Sequence, residues 1–342
     1  MKIAKKYQKI GKNGLFLPKI YLKFAPRLWA LAAVFALFLG RASPLFGEGL
    51  AGDVYLFSYF MGNGDGLHWA RSEDGLNWSA VGGGKSFLTP SVGENKLMRD
   101  PCVLRGPDGV FRLVWTTSWA GHTIGYAHST DLVHWSEQKA LPVMAHEPTA
   151  ENCWAPEVIH DPVHEDYLIF WATSIPGRFP GTEHSGHMGS DHHELNHRVY
   201  ATTTRDFDSF TPTRLLYDPG FDVIDATMAP ADRGWLLFVK NETERPVPAK
   251  NILLVRAATP EGPFAAPTAP ITGAYWAEGP TSIRIDGAWY VYFDKYRDRK
   301  FGVVRSRDLV HWEDLSGQLH LPEGIRHGTV IRVPRAVADR LQ

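Results

Sequence analysis

A short turn motif that recurs five times along the chain constrains its fold more than any other feature. In each copy an Asp or a Pro precedes an aromatic residue by four positions. The copies run from Asp74 to Trp78, Asp131 to Trp135, Asp206 to Phe210, Pro260 to Phe264 and Asp308 to Trp312. An Asp side chain at such a place accepts hydrogen bonds from backbone N–H groups two residues on, and the aromatic ring can pack between neighbouring sheets. The motif therefore predicts five copies of one structural unit.

The spacing of the motif indicates what that unit is. Successive aromatics lie 57, 75, 54 and 48 residues apart, and the sequence between them consists of short aromatic and β-branched runs broken by Gly, Pro, Asp and Asn. These runs predict an all-β protein with about one four-stranded sheet per unit. Five such units favour a five-bladed β-propeller. An open sandwich of the same strands is the alternative, but a sandwich does not need regular repetition.

The two ends of the repeat predict how the ring closes. The first unit begins at residues 53–57 and lacks an innermost strand, whereas the last unit is followed by a spare strand at residues 328–333. We therefore expect the carboxy-terminal strand to complete blade one.

The charge distribution separates an amino-terminal leader from the body. Residues 1–47 carry nine Lys or Arg and no Asp or Glu, so the body holds 27 basic against 37 acidic residues. An apolar run of twelve residues, 28–39, is too short to span a bilayer but fits a secretory signal. We expect residues 1–47 to be a signal peptide or amino-terminal anchor, residues 48–342 to be the propeller domain, and the body to be exported. The acidic body argues against a nucleic-acid partner, and no protein partner is implied.

Acidic residues recur where the innermost strand of each blade should begin, and these starts share one end of a propeller channel. They are Asp100 in Arg-Asp-Pro, Asp225 in Asp-Ala-Thr and Glu278 in Glu-Gly-Pro, and they are joined there by Trp154 in Trp-Ala-Pro-Glu and by His327. Carboxylates crowded in one pocket repel one another, which raises the pKa of one of them. A protonated acid facing an ionised carboxylate is what glycoside hydrolysis needs.

These ordered motifs, over residues 53–334, resemble glycoside hydrolase family 43, whose members are five-bladed propellers acting on arabinose-, xylose- or galactose-containing glycans. The resemblance implies that Asp100 is the catalytic base, Asp225 orients the acid and tunes its pKa, and Glu278 is the general acid. It also implies that His327 is a channel histidine beside which a calcium ion can bind, although no cofactor is required. The family inverts stereochemistry, so we expect the carboxyls of Asp100 and Glu278 to lie about 6.5–9.5 Å apart.

Several side chains are predicted to line the sugar pocket because they lie on strands or loops facing that end of the channel. Trp119 and Trp154 are candidates for stacking on a sugar, and His68, Lys240, Arg297 and His327 are candidates for polar contacts to it. The residues 184–197 hold five of the fifteen His. Their spacing matches no standard zinc signature, so a solvated loop that rims the pocket is favoured over a metal site.

The resulting hypothesis is an exported, inverting, exo-acting glycosidase, with α-L-arabinofuranosidase activity favoured over β-xylosidase or galactosidase activity. Its substrate would be an oligo- or polysaccharide. A non-catalytic sugar-binding propeller is a second hypothesis, disfavoured because binding alone does not require three carboxylates. A retaining fructan-cleaving enzyme is a third, since such relatives share Arg-Asp-Pro, but their early Asn-Asp-Pro nucleophile motif does not occur in this sequence.

Overall fold

The computed structural model describes residues 52–182 and 195–342, and in these ranges twenty β-strands form five four-stranded antiparallel sheets. The predicted leader and most of the His-rich segment 184–197 lie outside the described residues. Within the described ranges, no helix is long and apolar enough to cross a membrane. The all-β, five-bladed propeller predicted from the repeat is confirmed.

Each sheet is one blade, and four of the five blades use strands that are consecutive in the chain. Blade one comprises β1 (Asp53–Tyr59), β2 (His68–Ser72), β3 (Trp78–Ala80) and the last strand, β20 (Thr329–Pro334). Blade two comprises β4 (Arg99–Arg105), β5 (Phe111–Thr116), β6 (Ile124–Ser129) and β7 (Lys139–Leu141). Blade three comprises β8 (Trp154–Asp161), β9 (Asp166–Ser174), β10 (His197–Thr204) and β11 (Arg214–Tyr217). Blade four comprises β12 (Val223–Pro230), β13 (Trp235–Asn241), β14 (Asn251–Thr259) and β15 (Gly262–Phe264). Blade five comprises β16 (Glu278–Ile285), β17 (Ala288–Lys295), β18 (Lys300–Ser306) and β19 (Glu313–Asp314). The described helical segments are the short helix α1 (Arg335–Ala338) and 3-10 turns at Gly82–Gly84, Ser316–Gln318 and Asp339–Leu341.

The ring closes through the carboxy-terminal strand. Strand β20 pairs antiparallel with β1, with Val333 opposite Val54 and Val330 opposite Phe57. The innermost strands β20, β4, β8, β12 and β16 each contact the next one around the ring. The spare strand predicted at residues 328–333 therefore completes blade one, as expected.

The recurring turn motif has the predicted hydrogen bonds. In blade one, the Oδ1 atom of Asp74 accepts from the backbone N–H groups of Leu76 and Asn77, each at 2.8 Å. Asp131, Asp206 and Asp308 accept in the same way in blades two, three and five. The Trp78 ring that follows packs against Tyr292 of blade five at 5.8 Å between centroids. The motif thus folds a local turn and also joins neighbouring blades.

In the described part of the chain the hydrophobic core consists of five clusters, and each lies between two adjacent blades. Strand β9 shows why, because successive side chains of a strand point to opposite faces of its sheet. Ile169 and Trp171 pack toward blade two, whereas Leu168 and Phe170 pack toward blade four. Every central strand is therefore apolar on both faces, and the ring itself is what buries those faces.

Candidate active site

One end of the channel holds a cavity of about 440 Å³ at the start of the innermost strands. It receives the first residues of β4, β8, β12 and β16 and the segment that precedes β20. Its walls are formed by Arg99, Asp100, Thr116, Trp119, Trp154, Ile224, Asp225, Lys240, Glu242, Glu278, Arg326 and His327. The structure therefore brings together all three predicted catalytic carboxyls, together with Trp119, Trp154, Lys240 and His327.

The same backbone irregularity shapes four of the five innermost strands where they meet the cavity. The pairing register with the second strand shifts near each start, and one residue there takes a positive φ. These residues are Asp100 (φ 52), Ala155 (φ 44), Asp225 (φ 51) and Gly279 (φ 58). Asp tolerates this left-handed region better than most residues. Such bulges redirect side chains, and they are frequent next to active sites; here two of the redirected side chains are the carboxylates Asp100 and Asp225.

Asp100 is an ionised carboxylate held from two sides. Its Oδ1 atom lies 3.2 Å from Nδ1 of His327, and its Oδ2 atom accepts a hydrogen bond from the Thr116 hydroxyl at 2.8 Å. Burial acts to raise the pKa of Asp100, but the hydrogen bond and charge of His327 outweigh it and lower the pKa to about 2. A negative charge is therefore fixed on the blade-two side of the cavity.

His327 is the cation that matches this charge. Burial acts to lower the pKa of His327, but the hydrogen bond and charge of Asp100, with the charges of Asp225 and Glu278, raise it to about 9. The ring packs on Gly279, where a Cβ atom would stand 2.4 Å from Cγ of His327. The glycine of the Glu-Gly-Pro motif therefore makes room for the imidazole.

Asp225 and Glu278 form a second acidic group, joined through the backbone because the N–H of Gly279 donates to Oδ2 of Asp225 at 2.9 Å. Burial raises the pKa of Asp225 to about 6, with the charges of Glu278 and Asp100 adding to the effect, although His327 and Lys240 oppose it. Burial is thus the largest cause of the raised pKa of Asp225, and the crowding of carboxylates expected from the sequence adds a smaller contribution.

Glu278 has the opposite environment, because a cation lies beside each of its oxygens. Lys240 donates to Oε2 at 3.0 Å, and Arg326 approaches Oε1 at 3.4 Å. Burial acts to raise the pKa of Glu278, but the charge and hydrogen bond of Lys240, together with His327 and Arg326, lower it. Of this pair of carboxyls, Asp225 is therefore the one that holds a proton near pH 6 and Glu278 is the ionised one.

Lys240 begins a row of alternating charges that leads away from Glu278. Its Nζ atom also lies 2.6 Å from Oε2 of Glu242, whose Oε1 atom accepts from Lys250 at 2.6 Å. Lys250 in turn lies 3.6 Å from Glu244. Both lysines are buried, so each is stabilised by the carboxylates on either side of it.

Two tryptophans form the wall between blades two and three. The Trp154 indole N–H donates to the backbone oxygen of Trp119 at 3.0 Å, and the two rings meet edge to face. Trp119 is 46% exposed, so part of its ring is open to a ligand. His197 lies behind Trp154, with 5.0 Å between the two ring centroids. The Nδ1 atom of His197 is 2.9 Å from Oδ1 of Asp222. A buried polar group thus fixes the ring of Trp154.

The family of the chain follows from a comparison with known protein families. A family model described as a probable glycosyl hydrolase domain, related to glycoside hydrolase family 43, matches residues 52–339. The chain belongs to this family. The match spans all five blades, and it includes every predicted catalytic residue.

Named relatives of this family 43-related chain are similar to it at low identity. An α-L-arabinofuranosidase from Bifidobacterium longum subsp. longum is 23% identical over 202 residues, which is 53% of this chain and 18% of that protein. The chain thus spans less than a fifth of the length of this curated relative. Among solved structures, an α-L-arabinofuranosidase from Lactobacillus brevis has a TM-score of 0.49 at 17% identity, covering 64% of this chain and 72% of that one. A thermostable family-43 glycoside hydrolase has a TM-score of 0.47 at 18% identity, with the same coverage.

Two of the predicted sugar contacts lie outside the cavity wall. His68 is buried, stacks on Tyr59, and lies 3.2 Å from Asp65. Arg297 is exposed, and its guanidinium lies over the ring of Trp276 at 4.0 Å. Either side chain would have to move to reach a sugar in the cavity.

Some site residues of the family 43-related chain were not predicted from the sequence. Arg326 and Glu242 line the cavity. Arg326 precedes the predicted residue His327, and Glu242 follows the strand that holds Lys240. Glu157 of the Trp-Ala-Pro-Glu motif is buried, where it accepts from the Thr227 hydroxyl at 2.8 Å. Burial raises the pKa of Glu157 to about 8. Its place near the start of an innermost strand, as for Asp100, Asp225 and Glu278, was the signal that could have identified it.

The residues around His327 do not fit a calcium site. Calcium takes six to eight oxygen ligands, many of them carboxylates, whereas Nδ1 of His327 faces Asp100 and the ring packs on Gly279. Within residues 52–182 and 195–342, no three His, Cys, Asp or Glu side chains are grouped as metal ligands. Of the five histidines in the predicted loop, the four before His197 lie outside the described residues.

Proposed function

We propose that this chain hydrolyses a terminal glycosidic bond with inversion, and that the released sugar is an α-L-arabinofuranosyl residue. One observation carries the proposal: Asp100, which is ionised, lines the same cavity as Glu278 and as Asp225, whose pKa is raised to about 6. Inverting hydrolysis needs a carboxylate to activate water on one face of the sugar and a protonated carboxyl on the other.

In the proposed reaction Asp100 is the base. Thr116 and His327 each occupy one of its oxygens, but every carboxylate oxygen has a second acceptor site. A water bound there would lose its proton to Asp100 as its oxygen attacks the anomeric carbon. His327 acts as a positioning residue, because its positive charge and its contact with Oδ1 hold the carboxylate in one orientation.

Glu278 is the proposed acid, and its proton must come from a neighbour because the cations beside it keep it ionised in this structure. When substrate enters, the leaving-group oxygen approaches Glu278 and displaces the longer cation contact, that of Arg326 at 3.4 Å. Glu278 then accepts the proton held by Asp225 and transfers it to the leaving oxygen as the glycosidic bond breaks. Asp225 thus holds the proton in the free enzyme and determines when Glu278 is protonated.

The sugar is the finer part of the proposal. A cavity of about 440 Å³ favours a terminal sugar over a long internal segment. The similarity to the Bifidobacterium arabinofuranosidase supports arabinofuranose, while β-xylosidase and galactosidase activities would use the same carboxyls. Export remains a prediction from residues 1–47.

A panel of aryl glycosides tests this proposal. We expect the wild type to release the aryl group from the α-L-arabinofuranoside faster than from the β-xyloside and β-galactoside. We expect Asp100→Asn and Glu278→Gln each to lower kcat/KM by about 10² to 10⁴. Asp232→Asn and Glu313→Gln are matched controls, because both carboxylates form exposed ion pairs, and they should leave the rate unchanged.

Two results would contradict the proposal. If either Asp100→Asn or Glu278→Gln hydrolyses the aryl glycosides at the wild-type rate, the role of base or acid assigned to that carboxyl is wrong. Sugar binding by calorimetry without hydrolysis of any glycoside in the panel would favour a non-catalytic sugar-binding propeller instead.

A further inference from the structure

Arg99 differs from the other Lys and Arg side chains of the cavity in forming no ion pair with a described residue, although its charge helps to lower the pKa of Asp100. Lys240 is paired with Glu278 and Glu242, and Arg326 with Glu278 and Asp294. Among the described residues, Arg99 forms no ion pair. Its single hydrogen bond there runs from Nη1 to Oδ1 of Asn63, at 3.0 Å. A guanidinium has five N–H donors, so most of the donors of Arg99 remain for a ligand.

Two aromatic rings hold this guanidinium in place. Its central carbon lies 4.7 Å from the ring centroid of Phe60 and 4.3 Å from that of Trp119. Stacking of a guanidinium on an aromatic face is favourable, and it restricts the plane of the group. Because the donors are oriented before a ligand arrives, less side-chain entropy is lost on binding.

The position of Arg99 indicates which part of a substrate it meets. It precedes Asp100 by one residue at the start of β4, and its stacking partner Trp119 is 46% exposed. The side chains of Asp100 and Glu278 are 11% and 21% exposed, whereas the hydrogen bond of Arg99 to Asn63 is exposed to solvent. We therefore place the sugar that is cleaved against the carboxyls, deeper in the cavity than the guanidinium of Arg99. The group at the level of Arg99 is then the part of the substrate that departs.

We propose that Arg99 binds a carboxylate on the leaving-group side of the substrate, so that the preferred substrate is an acidic glycan in which a uronic acid carries the terminal sugar. This inference rests on the proposed hydrolytic function and adds its substrate class. Arg is the residue suited to a planar carboxylate, which it binds through two parallel hydrogen bonds.

The charge of the body also favours Arg99 as the carboxylate site. Outside residues 1–47 the chain has ten more acidic than basic residues, which repels an anionic glycan at long range. A substrate carboxylate therefore needs a local cation that is not already held in an ion pair. Arg99 supplies one at the cavity, whereas the charges of Lys240 and Arg326 are already matched by Glu278, Glu242 and Asp294.

A pair of synthetic substrates isolates the carboxylate. The first is the 4-(carboxymethyl)phenyl glycoside of the sugar that the panel above identifies, and the second is its methyl ester. The methylene group separates the charge from the phenolic oxygen, so the two leaving groups have similar intrinsic reactivity. We expect the wild type to hydrolyse the acid with a kcat/KM about tenfold or more above that of the ester, mainly through KM.

The matched variants are Arg99→Gln and Arg105→Gln. Both arginines lie on β4 and stack on an aromatic ring, but Arg105 is at the far end of the strand, over Phe111. Arg99→Gln should remove the preference for the acid while the ester is still hydrolysed, and Arg105→Gln should keep the preference. The preference of the wild type should also fall as salt rises from 0.05 to 0.5 M, roughly as expected for a screened ion pair.

The outcomes separate the two proposals. If no glycoside is hydrolysed by the wild type, the hydrolytic function fails. If the acid and the ester are hydrolysed equally well, or if Arg99→Gln lowers both rates by the same factor, hydrolysis stands and the carboxylate site is refuted; the second result would make Arg99 a support for Asp100.

Discussion

Gly279→Ala should impair activity far more than stability, because the change acts on a catalytic neighbour through contact. Gly279 has φ 58, and an added Cβ atom would lie 2.4 Å from Cγ of His327. Carbon atoms in contact prefer separations of about 3.5–4.0 Å, so the imidazole must move by about 1 Å. That movement would break the 3.2 Å contact between Nδ1 of His327 and Oδ1 of Asp100.

Two contributions to the expected effect can be separated. An alanine with left-handed backbone costs about 1–2 kcal/mol of folding free energy. A misplacement of about 1 Å in a catalytic group costs on the order of 10² in rate. We therefore expect kcat/KM on the preferred aryl glycoside to fall about 100-fold, with a modest decrease in the free energy of unfolding.

Gly83→Ala is the control for the backbone contribution. Gly83 has φ 63, and nothing lies within 4 Å of its added Cβ atom. This variant should show a similar loss of stability in urea unfolding and wild-type kcat/KM. The reasoning is refuted if Gly279→Ala keeps wild-type kcat/KM, or if both variants lose activity equally.

Three further predictions concern charge and packing. Lys240→Met removes the charge that most lowers the pKa of Glu278, so the alkaline limb of the kcat/KM profile should move to higher pH; an unchanged limb would show that another group sets it. The pair of Asp100 and His327 should stabilise the fold most between about pH 4 and 6.5, the ordinary pKa values of the two side chains, and this stability should be lost as pH rises through about 9, the raised pKa of His327. Urea unfolding of wild type and Asp100→Asn at pH 6 and 9 measures this, and an equal difference at both pH values would contradict it. Trp78→Ala should reduce the free energy of unfolding by roughly 3–5 kcal/mol because the buried ring joins two blades; a loss below about 1 kcal/mol in the same assay would exclude that role.

The fold was predictable because its signals are local. The Asp74 turn is made by hydrogen bonds to residues two and three positions on, and the apolar faces of strands such as β9 follow a period of two. Both are visible in a single sequence. The positions of Asp100, Asp225 and Glu278 were predictable for a related reason, since each lies at an equivalent point of a repeating unit.

The proton arrangement of the site was not predictable in the same way. The cations that keep Glu278 ionised come from positions 38 and 48 residues away in the chain, Lys240 on β13 and Arg326 before β20. Arg297 was expected at the sugar, but the nearby Trp276 ring holds it outside the cavity wall. Such pairings depend on how loops from different blades meet, and no local pattern encodes them.

The anomeric configuration of the sugar at the moment of release tests the central claim most directly. Proton NMR of a reaction with an aryl α-L-arabinofuranoside can follow the first-formed product before it mutarotates. With Asp100 as the base that activates water and Glu278 as the acid, the β-anomer should appear first. Initial release of the α-anomer would mean retention through a covalent intermediate, and would contradict the roles assigned to both carboxyls.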